Sequence, residues 1–167
     1  MVAENVPCPV CGLDGSVCGI MPDGRGIGVE CKRCGVFGFS RTAMELIQRM
    51  QGEDLQLLKF LSCHIRQQNS LSITPFFLHE DWQVFAGSHQ NTAVSAKISK
   101  LIDLIASHTK YPGQEISLES NYDYPLIDAS SLNEMIHLMN HLTFSQLVQG
   151  EFDSVTKIHR VHGELLF

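Results

Sequence analysis

Two different hydrophobic patterns divide the chain. Up to about Ser40, apolar residues stand singly between glycines and polar residues. Ile27 and Val29 alternate with small neighbours and run into Cys31, and Val36 to Phe39 leads away from Cys34. Alternation over such short runs predicts strands. Asp14-Gly15 and Asp23-Gly24 are dipeptides that suit hairpin turns. The segment reads as two knuckles on short hairpins, with little core of its own.

The period changes at Thr42. Thr42-x-x-Glu45 predicts a capping box, followed by Met44, Ile47 and Met50 at helical spacing up to Gly52. A second helix is expected from Glu53 to Gln67, with Leu57, Leu58, Leu61 and Ile65 on one face and Asn69 and Ser70 ending it. Thr74-Pro75 opens either a short helix or an extended link. Phe76, Phe77, Trp82 and Phe85 are assigned to packing between the two halves of the chain.

Asn91 to Ser107 predicts a helix, because Val94, Ile98, Leu101, Ile102 and Ile105 share one face. Pro112-Gly113 breaks it, and Glu115 to Glu119 alternates as a strand. A loop or short helix covers Tyr122 to Ala129. Ser131-x-x-Glu134 predicts a second capping box, with Leu132, Ile136, Met139 and Leu142 inward. A turn is expected at Gly150-Glu151-Phe152-Asp153, with Val155, Ile158 and Val161 returning as a strand. Helix, strand, short helix, helix, hairpin is the element order of a winged helix.

Five of the six cysteines crowd into the first segment, four of them as C-x2-C-x19-C-x2-C through Cys8, Cys11, Cys31 and Cys34. Two residues between cysteines let both sulfurs of a knuckle face one ion, and this spacing suits a structural four-thiolate zinc site. Gly12 and Gly35 follow the second cysteine of each pair, where a positive φ turns backbone N–H groups towards the sulfurs. Met1–Gly12 has neither the basic start nor the apolar run of a secretory signal, so metal thiolates are expected over disulfides and the cytoplasm over export. A redox CxxC is the rival reading, but it would sit in a βαβ setting absent from this pattern. Cys18 reads as a free thiol rather than a fifth ligand, and Cys63 as a small buried hydrophobe.

The Cys-Pro-x-Cys-Gly and Cys-x-x-Cys-Gly knuckles resemble the zinc-ribbon family over about 40 residues. With the winged-helix-like half, the layout resembles the N-terminal part of some bacterial effector or defence-associated proteins. The expected class is therefore α+β: a four-cysteine zinc ribbon over residues 1–40, a helical linker region over 41–90, and a winged-helix-like α/β domain over 91–167. That resemblance implies one structural zinc ion and a regulatory, sensor or adaptor role. The partner would be another protein or a further C-terminal domain, since Leu165, Leu166 and Phe167 leave an apolar end that suggests a continuing chain.

Charge narrows the partners. The formal net charge is −6 and the pI about 5.7, which gives no general pull towards nucleic acid or an anionic membrane. From Tyr111 through Thr156 there is no Lys or Arg, while seven acids fall there: Glu115, Glu119, Asp123, Asp128, Glu134, Glu151 and Asp153. The helix that would read DNA in a winged helix offers Asn133, Glu134, His137, Asn140 and His141, and the expected wing turn carries Glu151 and Asp153. Phosphate contacts need Lys and Arg. Only Arg25, Lys32, Arg33 and Arg41, around the zinc knuckles, leave room for a nucleic-acid-binding regulator as the alternative. No stretch approaches the apolar length of a membrane helix.

Catalytic signatures are absent. Gly24-Arg25-Gly26-Ile27-Gly28 lacks the helix a phosphate loop requires, and there is no GxSxG, HExxH or kinase set. His137 and His141 lie one turn apart with Glu134, half of a carboxylate–histidine metal signature with no second copy, so a solvated face is expected. His159 and His162 fall on opposite sides of a strand, and His64 has no partner at ligand spacing. A non-catalytic module is the leading expectation, and an enzyme with an unrecognised site comes third.

Overall fold

The computed structural model describes residues 4–50, 55–79, 81–111 and 114–162. The breaks expected at Gly52 and Pro112-Gly113, and the apolar end at Leu165–Phe167, lie outside the described residues. The chain is mixed α+β and forms two compact units, Met1–Asn91 and Thr92–Phe167.

In the first unit, β1 (Glu4–Val6), β2 (Ser16–Ile20), β3 (Ile27–Cys31) and β4 (Gly35–Phe39) run antiparallel in sequence order. Gly15 and Gly24 take φ +78° and +70°, so the two Asp-Gly dipeptides make their turns as the sequence predicts. Three helices accompany the sheet: α1 (Arg41–Met50), α2 (Leu55–Ser70) and α3 (Asp81–Gln90). The α1 cap is Ser40 rather than Thr42, because the Ser40 hydroxyl accepts from Ala43 N–H at 3.1 Å. Ser40 is the first residue after β4, so helix entry follows directly from the end of the strand.

Residues 76 and 77 form β5 (Phe76–Phe77), which pairs parallel to β4. Phe77 and Trp82 are buried in the same core as Phe37, Phe39, Ile47, Leu58, Leu61 and Ile65. These aromatics therefore serve the interior of the first unit, correcting the expectation that they pack between halves. Phe85 stays 42 % exposed. Val10, Val29, Phe37 and Phe39 of the sheet region share one core with the helices that follow it.

The second unit holds α4 (Val94–His108), β6 (Glu115–Glu119), α5 (Ser120–Asp123), a 3-10 turn (Tyr124–Ile127), α6 (Leu132–Phe144), β7 (Gln149–Asp153) and β8 (Ile158–His162). Its antiparallel sheet has the order β6-β8-β7. Ser131 caps α6 by accepting from Glu134 N–H, as the motif predicts, whereas the Glu134 carboxylate turns back to Ser130 rather than to Ser131.

Three sequence expectations shift here. The buried face of α6 carries Met135, Leu138, Met139 and Leu142, so Ile136 is only half-buried. Val94, at the start of α4, is 61 % exposed. The turn falls at residues 154–157, not at Gly150–Asp153, which belong to β7. Asp153 places it: its carboxylate accepts from Val155 N–H, Thr156 N–H and the Thr156 hydroxyl, a self-contained Asx-type turn. Val155 consequently sits in the turn, 87 % exposed.

Candidate metal centre

Cys8 and Cys11 lie in the loop after β1, and Cys31 and Cys34 flank the turn between β3 and β4. Hairpin pairing between β2, β3 and β4 carries the second knuckle back to the first. The four sulfurs lie within 4.8 Å of one another. Cys8 and Cys34 sulfurs are 3.8 Å apart, and those of Cys11 and Cys31 are 3.6 Å apart. Bonds of about 2.3 Å in a tetrahedral four-sulfur zinc centre put sulfurs about 3.8 Å apart, so the cluster fits one such ion. No cysteine forms a disulfide.

The backbone around the cluster has the expected form. Gly12 and Gly35 take φ +69° and +95°, and Cys34 N–H points at Cys31 Sγ at 3.5 Å. Gly12 N–H donates to Cys8 C=O at 2.9 Å and closes the first knuckle. Asn69, from the last turn of α2, brackets Val36 beside the second knuckle, accepting from its N–H and donating to its C=O.

Without a cation the four sulfurs cannot all be thiolates. Burial first, and then the neighbouring sulfurs, push the Cys34 thiol well up. The Cys11 and Cys31 sulfurs, followed by burial, raise Cys8. Donation from Cys11, Cys34 and Cys8 pulls Cys31 down. A divalent cation would resolve that conflict, since it stabilises every thiolate at once.

One contact was not legible in the motif. Ser62 is fully buried, and its hydroxyl lies 3.1 Å from Cys34 Sγ. It sits on the apolar face of α2, between Leu58 and Ile65. A serine among leucines was the available signal. Hydrogen bonds of this kind orient a ligand and temper its charge.

The other sulfurs stay apart. Cys18, on β2, lies outside the cluster, in an apolar groove lined by Val6, Pro7, Pro9, Ile27, Met44 and Gln48. Burial, then the Cys31 charge, raise its thiol. Cys63 is buried, with its thiol 3.4 Å from Lys59 C=O.

The four basic residues fall into two pairs. Lys32 and Arg33 occupy the turn after β3, where Arg33 Nη1 donates to Cys11 C=O at 3.5 Å. Arg25 lies before the start of β3, ion-paired to Asp23 and 5.4 Å above the Phe76 ring, and Arg41 follows the end of β4. Since Ile27 pairs with Phe39, Arg25 and Arg41 share one end of the sheet. A strand of this length separates the pairs by roughly 13–17 Å.

In the second unit, Asn133, His137, Asn140 and His141 are exposed on α6, but Glu134 is not part of a solvated face. Lys97, on α4, meets Glu134 at 2.6 Å, and Lys100 meets the buried Asp128. Against the opposing effect of burial, Lys97 and Ser130 hold the Glu134 carboxyl below its usual range. His159 is buried and His162 exposed, on opposite faces of β8 as expected.

No protein-family model, curated protein or solved structure matches this chain. Among the described residues, no helix is long and apolar enough to cross a membrane.

Proposed function

We propose that this chain is a zinc-stabilised, non-catalytic regulatory or adaptor module of the cytoplasm that acts through protein–protein contacts. The observation that carries this reading is the closed sulfur shell. Four cysteine sulfurs lie within 4.8 Å of one another, and a tetrahedral ion held by all four would have no open site for substrate or water. Zinc suits all-sulfur tetrahedral ligation with no redox chemistry, so Cys8, Cys11, Cys31 and Cys34 serve as structural ligands.

The second unit is read as a winged helix adapted to protein contact. Its element order and its β6-β8-β7 sheet support that reading. Between Tyr111 and Thr156 it has no Lys or Arg to hold phosphates. The nucleic-acid alternative would rest on the ribbon, where Arg25 is engaged by Asp23 and the basic pairs stand apart.

Two measurements test the proposal. Elemental analysis should find one zinc per chain, lost in Cys31→Ser together with the fold of the sheet. A gel shift with duplex DNA at low salt should show no complex. A salt-dependent shift abolished by Lys32→Ala with Arg33→Ala would overturn the adaptor reading in favour of a nucleic-acid-binding regulator.

A further inference from the structure

We propose that His64 and His89 form a second, separate cation site, a two-histidine chelate that bridges α2 and α3 and takes a borderline divalent ion such as Zn2+. His64 Nδ1 lies 3.3 Å from His89 Nε2. At that length the two rings are within hydrogen-bond reach of each other. The distance also matches the separation of two nitrogen ligands on one tetrahedral ion, about 3.3–3.4 Å for metal–nitrogen bonds of about 2.0–2.1 Å.

Packing holds the first ring in place. His64 stacks on Phe85 with centroids 4.7 Å apart and an interplanar angle of 20°, and its edge meets Phe77. A ligand held by aromatic packing loses little freedom when the ion arrives. Burial, then repulsion from His89, lower the pKa of His64, so its ring is neutral near pH 7 and able to ligate. Both histidines are only half-buried, which leaves the outward side open for ion entry and for water ligands. His89 also lies in the last turn of α3, where the helix dipole favours added positive charge.

The chemistry is balanced without net proton release. A hydrogen bond between the rings places one ring proton between the facing nitrogens. On binding, that ring changes tautomer, its proton moves to the far nitrogen through solvent, and both facing lone pairs bond the ion. Imidazole ligands with open positions suit Zn2+, Ni2+ and Cu2+ rather than Mg2+ or Ca2+. Zn2+ is the suitable probe, because copper would also attack the cysteine cluster.

The exposed His137 and His141, one turn apart on α6, provide an internal competitor. Zinc-replete full chain is titrated with Zn2+ while long-range proton–nitrogen NMR follows every histidine ring. The expected result is a joint shift of His64 Nδ1 and His89 Nε2, with bound zinc rising from one to two per chain. His89→Gln should remove the His64 shift and the second zinc, and His141→Gln should leave both. No movement of either ring at a tenfold excess of zinc would overturn the site, as would a His64 shift that survives in His89→Gln. Failure of the cysteine centre would read separately, as less than one zinc per chain before the titration starts.

Discussion

In the first unit the chemically distinctive buried groups are cysteine sulfurs; in the second they are Lys97, Asp128, Ser120 and His159. Four thiolates at such short range repel one another and require a cation among them. The second unit supplies its own partners: Lys97 answers Glu134, Lys100 and Thr92 answer Asp128, and the Ser120 hydroxyl meets His159 Nδ1. The proposed centre would link stability to metal in the first unit, and the buried titratable groups link it to protons in the second. The hydrophobic cores differ to match. An aromatic set of Phe37, Phe39, Phe77 and Trp82 belongs to the core of the first, and the core of the second is mainly aliphatic and methionine side chains from α4, β6, α6 and β8, with Tyr124 and Ile127 of the 3-10 turn.

The largest effect should come from the metal. Cys34→Ser, or a strong chelator, should remove on the order of 10–16 kcal/mol of metal-linked folding energy from the first unit. Circular dichroism and NMR should show the sheet lost while resonances of Leu138 and Met139 remain native. Joint unfolding of both units would break the comparison.

Next comes Lys100→Met, which leaves the Asp128 carboxylate, 1 % exposed, with its charge uncompensated. Breaking a buried pair by removing one partner costs about 3–5 kcal/mol, and the exposed end of Lys100 places the expectation near about 3 kcal/mol. Denaturant titration should show that loss in the second unit, with zinc content unchanged.

The pH dependence is comparable but continuous. Burial holds His159 at about 4, below its ordinary 6.5, and its Nε2 has no hydrogen-bond partner among the described residues. The folded state prefers the neutral ring, so the contribution is complete above pH 6.5 and is lost as the pH falls towards 4. That gap corresponds to at most about 3 kcal/mol. His159→Leu should flatten the stability profile of the second unit between these values. An unchanged slope would show that other groups carry it.

The smallest effect sharpens the first unit. Ser62→Ala removes the hydroxyl beside Cys34 Sγ and should weaken metal binding by about 10–100-fold, without unfolding the zinc-loaded protein. Competition with a chromophoric chelator measures this. An unaltered affinity would reduce Ser62 to a packing residue.

The legible parts of this protein were those written in short-range chemistry. The two CxxC pairs and their glycines foretold the sulfur cluster, because knuckle geometry is set within a few neighbouring residues. The Glu115–Glu119 strand and the Ser131 cap were equally local. Gly150 suggests a turn at 150–153, whereas the hydrogen bonds accepted by Asp153 fix it four residues later, at 154–157. Thr42 has the motif of a cap that Ser40 in fact supplies, since strand termination selects the first residue free to turn.

The sequence by itself determined which sulfurs could meet, where strand pattern yields to helix pattern, and which stretch carries no basic side chain. These follow from spacing, period and charge, which a linear chain displays directly. Only the tertiary structure decided that Phe77 and Trp82 complete the core of the first unit, that Ser62 reaches Cys34, that Lys97 and Lys100 neutralise Glu134 and Asp128, and that His64 faces His89. The polar pairs among them are separated in sequence by 25 residues for His64 and His89, rising to 37 for Lys97 and Glu134. Chain separation leaves no local trace of such a contact; it arises when burying apolar faces brings the polar residues beside them into register.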